Sequence, residues 1–276
     1  MKNKTALLLL FSLSLFPARK IKIASFNIQI FGQKKCNNQT VINRLAAIIT
    51  NFDLTAVQEI RDISGKTMPF FLKKINKISQ APYQYVISRR VGRTRVKEQY
   101  AFIYNRKTVK YNNNAVLYND RENDNFEREP FIASFTAERF DFTLINIHLK
   151  PGDVKREIKA LENVFRKLQQ ESIPDKDIII LGDLNTDCRY FDEDQNTFFP
   201  KNIFSRVINN ALDTTVSDSK CTYDRIIFSK KYTDEDYAGP AGVFKYDSVY
   251  KLKTAPLKIS DHYPVYAVFY TEFDSD

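Results

Sequence analysis

The sequence predicts an α/β fold in which polar side chains gather at strand ends. Short apolar runs rich in β-branched residues recur along the chain, as strands buried in a sheet require. Segments with apolar residues at helical spacing lie between them. The strands end repeatedly in Asn, Asp, Glu or His. The 276 residues, 43% of them hydrophobic and 13% aromatic, suffice for one large core. No internal repeat, low-complexity tract or Pro/Gly-rich linker divides the chain, so residues 19–276 read as one domain.

Residues 1–18 read as a signal peptide. Lys2 and Lys4 give a positive start, and residues 6–16 form an apolar stretch too short to span a bilayer. Secretion is the expected destination, and no later stretch is apolar enough to cross a membrane. The formal charge of +9 fits a polyanionic partner, nucleic acid or an anionic membrane surface. No single Lys/Arg cluster is long enough to choose between them. Of the three cysteines, Cys36, Cys188 and Cys221, an exported chain would pair two and leave one spare. A bridge between Cys188 and Cys221 would staple two polar loops. Without a CxxC motif, a zinc ribbon or thiol redox site is not expected.

In chain order, Ile21 to Asn27 alternates apolar and polar residues and reads as a strand with an amide at its tip. Asn38-Gln-Thr40 fits an N-glycosylation sequon. Apolar residues at 41, 42, 45, 48, 49 and 52 predict a helix. Leu54 to Val57 is a strand closed by Gln58 and Glu59. A second helix is expected over 68–78, then strands at 83–88 and 100–104 around an arginine-bearing loop at 89–95. Residues 108–118 continue the β-rich part, and 119–127 form an acidic loop. Strands follow at 131–135 and 140–147, the latter ending in His148. The helical stripe Val154, Ile158, Leu161, Phe165 and Leu168 marks a helix over 154–170.

Residues 178–181, Ile-Ile-Ile-Leu, suit a strand buried on both faces. Gly182 ends it, and Asp183 and Asn185, two apart, face one spot. A carboxylate and an amide there are hard oxygen ligands suited to Mg²⁺ or Ca²⁺. A polar loop at 212–223 leads through Asp224 into a strand at 225–228. Asp261 and His262 precede a closing strand at 265–269.

In α/β sheets, ligands sit at such strand edges. Asn27, Glu59, His148, Asp183, Asn185, Asp224, Asp261 and His262 would converge there. Carboxylates and amides would hold a divalent cation against a phosphate. The two histidines would share proton work, one activating water and the other protonating the leaving oxygen. Each needs a carboxylate to fix its tautomer, and Glu98, Asp224 and Asp261 are available. The chemistry is metal-assisted hydrolysis of a phosphate ester.

At these residues the chain resembles the endonuclease/exonuclease/phosphatase superfamily and, within it, the secreted deoxyribonuclease I family. The resemblance runs from about Ile21 to Phe269. Gly182-Asp-Leu-Asn185 and Ser260-Asp-His262 carry the superfamily likeness; Lys97-Glu-Gln-Tyr100, Arg128-Glu-Pro130 and Cys221-Thr-Tyr-Asp-Arg225 are specific to the deoxyribonuclease I branch. The stretch beginning Tyr85-Val-Ile-Ser-Arg-Arg is similar to the gamma members.

The resemblance implies a four-layered α/β sandwich, two packed mixed β-sheets flanked by helices. It implies a secreted, monomeric endonuclease of double-stranded DNA with low sequence specificity and no membrane partner once the signal is removed. The acid/base pairs would be His148 with Glu98 and His262 with Asp224. Asn27, Glu59, Asp183, Asn185 and Asp261 would surround Mg²⁺ (or Mn²⁺) and the scissile phosphate, and Arg61 and Arg128 would contact DNA. Cys188 and Cys221 match the family disulfide. Asp213, Thr215, Ser217 and Ser219 match a structural Ca²⁺ loop, and Asp120, Asp124, Phe126 and Glu129 resemble a second. Asn38 falls where the family carries a sequon. Val96 replaces the family's minor-groove Tyr, which bears on cutting preference. The alternative is another superfamily phosphodiesterase or phosphatase, sphingomyelinase-like or acting on inositol phosphates.

Overall fold

The computed structural model describes residues 19–170, 176–192, 198–252 and 256–275; the signal segment expected at 1–18 lies outside them. Thirteen strands are described: β1 (Lys20–Phe31), β2 (Leu54–Ile60), β3 (Tyr83–Ile87), β4 (Gln99–Asn105), β5 (Lys110–Tyr111), β6 (Val116–Leu117), β7 (Phe131–Ala137), β8 (Phe140–His148), β9 (Ile178–Asp183), β10 (Phe204–Arg206), β11 (Asp224–Ser229), β12 (Tyr237–Val243) and β13 (Val265–Tyr270). The helices are α1 (Gln33–Asn37), α2 (Gln39–Ile49), α3 (Thr67–Ile78), α4 (Val154–Gln170), α5 (Lys230–Thr233) and α6 (Tyr246–Val249).

The strands form two mixed sheets. One runs β12-β13-β1-β2-β4-β3, the other β10-β11-β9-β8-β7-β5 with β6 against β7. β1 pairs with β2 in parallel, as β8 does with β9. Side-chain alternation assigns each strand's residues to two layers. Ile23, Leu54, Phe102, Leu144, Ile179 and Leu181 meet between the sheets. Ala24, Phe26, Val57 and Ile103 turn outward onto α2 and α3. Ile145, Ile147, Ile178 and Ile180 turn outward onto α4. The four-layered sandwich expected from the sequence is therefore present. Each Phe or Ile sealed in these layers contributes about 1.5–3 kcal/mol.

The inner layer also contains a polar clasp. Gln58 Nε2 donates to Asn146 Oδ1 (2.8 Å) and to Ser25 Oγ (3.1 Å). Asn146 Nδ2 faces the carbonyls of Val57 and Ala101, each at 3.2 Å, on the opposing sheet. These amides tie the two sheets together just beneath the strand ends that carry the site, and buried amides require such partners.

One strand boundary and several short elements differ from expectation. β1 continues past Asn27 to Phe31 through a register shift, with Gln29 and Ile30 at φ 44° and 48°. Two consecutive residues with positive φ interrupt the alternation, so the sequence reads as a strand end. The edge strands β10 and β12 and the short helices α1, α5 and α6 were not expected, since segments of three to seven residues leave too little periodicity to detect.

Candidate active site

Strand register builds the site. In the parallel β8–β9 ladder His148 stands opposite Asp183, and in the antiparallel β9–β11 ladder Asp183 stands opposite Asp224. Gly182 makes this spacing feasible. Its φ is 156°, and a Cβ there would lie 1.8 Å from the Ile147 carbonyl oxygen. From the first sheet, the β1 end supplies Asn27 and the β2 end Glu59. Glu59 itself has φ 61° and accepts from the Ile30 amide through Oε2 at 2.9 Å.

The two histidines converge. His148 Nδ1–H donates to Glu98 Oε1 at 2.8 Å, and His262 Nδ1–H donates to Asp224 Oδ2 at 2.8 Å. Each ring thus turns Nε2 to the same place, 3.5 Å from Asp183 Oδ2. Asn27 Nδ2 donates to that oxygen at 3.0 Å and to Glu59 Oε1 at 3.2 Å. Its own oxygen accepts from the Gln29 amide at 2.9 Å, so Asn27 here orients two carboxylates rather than offering an oxygen outward. Asn185, at φ 51°, donates from Nδ2 to the Leu149 carbonyl (3.0 Å) and from its backbone amide to Asp183 Oδ1 (3.2 Å).

Burial opposes charge on both imidazoles, but the carboxylates outweigh it. Glu98 and Asp183 raise His148 above the ordinary histidine value. Asp224 and Asp183 push His262 up to about 10. Glu98 is held below the usual carboxylate range: His148, Arg128 and Arg61 together overcome its desolvation. Burial raises Asp224, although its imidazolium partner favours the carboxylate. That pair titrates as a unit, and we assign the proton to His262, because Asp183 and Asp261 attract it there as well.

The donor set fits a divalent cation. Asp183 lies within 4.8 Å of the Asp224–His262 pair; those two already bond each other, so Asp183 is the member that offers an oxygen to a cation. Asp261 stands beside them, its Oδ1 3.8 Å from His262 Nε2, buried and, among the described residues, without a hydrogen-bond partner. Glu59 and Asp183 add oxygens bridged by the Asn27 amide. Such a group of hard oxygens suits Mg²⁺ or Mn²⁺.

Arg61 and Arg128, expected at DNA, sit inside the site's own charge network. Arg61 Nη2 lies 2.9 Å from Glu59 Oε2 and 3.7 Å from Glu98 Oε2. Arg128 Nε lies 3.2 Å from Glu98 Oε1 and donates to the His148 carbonyl at 3.0 Å. Val96 is exposed at the neighbouring loop tip.

Cys188 and Cys221 form a disulfide, and Cys36 is free and buried. Beside the disulfide, Asp213 Oδ1 accepts from the Thr215 amide (3.0 Å) and hydroxyl (2.8 Å), and the Ser217 and Ser219 hydroxyls lie 2.6 Å apart. This loop bridges Thr215 to His262. In the loop expected as a second Ca²⁺ site, Asp120 Oδ2 accepts from the Phe126 amide at 2.8 Å. Asp124 pairs with Arg93 (2.9 Å) and Glu129 with Arg89 (3.8 Å), so arginines already face two of its acids. Asn38, the sequon residue, is exposed and caps α2 by accepting from the Val41 amide.

Sequence reasoning missed several supports. Lys35 Nζ donates to the carbonyls of Ile28 and Ile259, both at 2.9 Å, and of Gln29, pinning the β1 bulge to the Asp261 segment. Burial lowers Lys35 to about 8, against the pull of Asp261 and Glu59. Ser260 Oγ donates to the Asn27 carbonyl at 2.6 Å, and Tyr100 Oη accepts from the His148 amide at 3.1 Å. A lone Lys, Ser or Tyr carries no local signal of such a role.

A four-layered sandwich with two imidazole–carboxylate pairs facing a common acid defines a hydrolase of the α/β type. The chain belongs to the Endonuclease/Exonuclease/phosphatase family, whose model matches residues 24–262, and to its deoxyribonuclease I branch. It is 34% identical to Deoxyribonuclease gamma of Rattus norvegicus over 278 residues, covering 94% of this chain and 88% of the relative. It is 34% identical to Deoxyribonuclease-1 of Homo sapiens over 281 residues, covering 96% and 97%. Among solved structures, an endonuclease/exonuclease/phosphatase family protein of Bacteroides thetaiotaomicron superposes with a TM-score of 0.62 at 17% identity, covering 94% of this chain and 97% of that one. TDP2 of D. rerio, complexed with single strand DNA product, superposes with a TM-score of 0.56 at 16% identity, covering 91% and 99%.

Proposed function

We propose that the protein is a secreted, divalent-metal-dependent endonuclease that hydrolyses phosphodiester bonds of double-stranded DNA with low sequence specificity. The observation that carries this reading is the convergence of both histidine Nε2 atoms on Asp183. The catalytic unit spans residues 19–276, acts as a monomer, and follows removal of residues 1–18. Among the described residues no helix is long and apolar enough to cross a membrane.

Glu59, Asp183 and Asp261, with Asn185 alongside, would hold Mg²⁺ or Mn²⁺. The ion, when bound, neutralises phosphate charge as the P–O bond breaks. Glu98 and Asp224 fix the Nδ1–H tautomers, so both Nε2 atoms face the substrate. One imidazole takes the proton of the attacking water, and the other returns a proton to the leaving oxygen. Their raised affinities suit holding a proton, and a nearby cation would lower them toward the working range. Arg61 and Arg128, anchored on Glu59 and Glu98, would contact the DNA backbone. Asp213, Thr215, Ser217 and Ser219 would hold a structural Ca²⁺, which would steady the loop that bridges Thr215 to His262. Val96 removes a ring from the groove-facing loop and alters cutting preference.

Plasmid nicking with purified protein tests this reading. Conversion of supercoiled to relaxed DNA is expected with Mg²⁺ and Ca²⁺ and is abolished by EDTA. No nicking in any divalent ion would end the proposal.

A further inference from the structure

No long run in the sequence carries the positive charge, but the fold concentrates part of it. At the sandwich end remote from Asp183, the start of β1, the turn after β4 and the β7–β8 turn enclose a groove of about 430 Å³. Arg19, Lys20, Arg106, Lys107 and Lys110 line it, with Glu138 as the acid among the lining residues.

Partners decide how much charge stays available. Arg19 pairs with Glu138, so that charge is neutralised. Lys20 lies 4.9 Å over the Tyr270 ring, and Lys107 Nζ donates to the neutral Gln80 carbonyl at 3.1 Å. Among the described residues, neither Arg106 nor Lys110 meets a carboxylate at ion-pair distance. Asp53, beneath the groove, is already engaged: it accepts from the Thr108 hydroxyl at 2.7 Å and from the Lys22 amide at 2.8 Å. The turn that holds Arg106 and Lys107 is fixed by backbone bonds from Arg106 to Pro82 and from Val109 to Asn105, both 2.9 Å. Several unneutralised cations are thus held close together on a stiff frame, which a polyanion relieves by displacing small counterions.

We propose that this groove is a second DNA-binding site, taking the phosphodiester backbone of a duplex segment at the end opposite the catalytic cluster. The inference rests on duplex DNA being the substrate. β1 spans the two ends: Lys20 lies at the groove and Asn27 at the site, roughly 23 Å apart along an extended strand. One molecule then holds one DNA segment for cutting and another as a tether, which favours long DNA over short. A nucleic acid suits the groove better than a lipid surface. Among the described residues, no exposed large hydrophobic side chain lines it, and lasting membrane attachment buries an apolar face.

The test counts duplexes. In a His148→Ala/His262→Ala background with Mg²⁺ present, a 12-bp duplex is titrated and stoichiometry is read by sedimentation. Two duplexes per protein are expected. With Arg106→Glu, Lys107→Glu and Lys110→Glu added, one remains, and the weaker binding phase falls about tenfold or more. The same three changes to Gln, checked by thermal melting, guard against misfolding and should weaken that phase less. With wild-type histidines, the groove variant should cut the 12-bp duplex normally and plasmid more slowly. One duplex per parent protein, or two per groove variant, overturns the proposal. So does groove-dependent binding to phosphatidylserine vesicles with DNA stoichiometry unchanged. Intact groove stoichiometry in a protein whose wild type never cuts DNA would uphold the groove and count against the proposed function.

Discussion

His148 and His262 meet at one oxygen: Asp183 Oδ2 lies 3.5 Å from Nε2 of each. One ring comes from the end of β8 and the other from the segment before β13, on different sheets, so only the packed sandwich brings them together. In the proposed reaction the two imidazoles act as acid and base on one phosphate and so depend on each other. His148→Ala and His262→Ala are each expected to slow steady-state plasmid nicking about 10²–10⁴-fold. The double variant should fall little further, because groups working as a unit are not additive. A single variant within tenfold of wild type would show the roles to be misassigned.

Metal binding should register in stability as well as in rate. Glu59, Asp183 and Asp261 repel one another in the free protein, and a cation bound only by the folded state stabilises it by mass action. At a hundredfold excess over Kd the gain is about 2.7 kcal/mol. Thermal melting with and without Mg²⁺ measures it. Asp183→Asn should abolish most of this upward shift, and an unchanged shift would place the ion elsewhere.

Asp62 links the Glu59 strand end to α3 and sets an acid limit. It accepts from the Thr67 amide (3.0 Å) and from the Ser64 amide (2.9 Å) and hydroxyl. Burial raises its carboxyl, but these donors overcome that and bring it down to about 2. The fold therefore favours the carboxylate. Its contribution, on the order of 2 kcal/mol, is complete above the ordinary value near 3.8 and is lost as pH falls through about 2. Asp62→Asn should be less stable than wild type by that amount at pH 7, with the gap closing near pH 2 in denaturant titrations. A gap that stays constant with pH would refute this account.

The disulfide between Cys188 and Cys221 closes a 33-residue separation containing β10 and the Asp213 loop. Restricting the unfolded chain over that length stabilises the fold by about 3–4 kcal/mol in the loop-entropy view. Cys188→Ala/Cys221→Ala should lower chemical-denaturation stability by a similar amount. It should also cost activity, because Thr215 bridges to His262. Full activity with reduced stability would separate the disulfide from the site.

Much of this was legible from residues alone. Buried strands such as 178–181 announce themselves by apolar runs, and their polar tips named His148, Asp183 and Asp224 before any geometry. The β1 bulge was not legible, because Gln29 and Ile30 adopt positive φ where Glu59, 29 residues from Ile30, accepts the Ile30 amide and Lys35 holds the Ile28 and Gln29 carbonyls. Nor were the true partners of Arg61 and Arg128: a sequence places an arginine near a site but not which carboxylate it meets. The Gln58–Asn146 clasp joins residues 88 apart and leaves no local pattern.

Gly182 is the most exacting position in the ladder that sets the site. It pairs with Ile147 between the pairs that align Leu181 with Asn146 and Asp183 with His148. A Cβ there would meet the Ile147 carbonyl oxygen at 1.8 Å, its carbon at 2.9 Å and its amide nitrogen at 3.1 Å, all backbone atoms that cannot swing aside. The residue also sits at φ 156°. Gly182→Ala must therefore push β8 and β9 apart at the rung beside both His148 and Asp183. The stability loss should reach about 1–3 kcal/mol or more, as overpacked interiors show, and nicking should fall further than stability explains, since a shift of about 1 Å costs on the order of a hundredfold in rate. Melting and nicking rates measured on one preparation decide the matter. A folded Gly182→Ala protein that nicks at the wild-type rate would mean that this rung does not set the distance between imidazole and carboxylate.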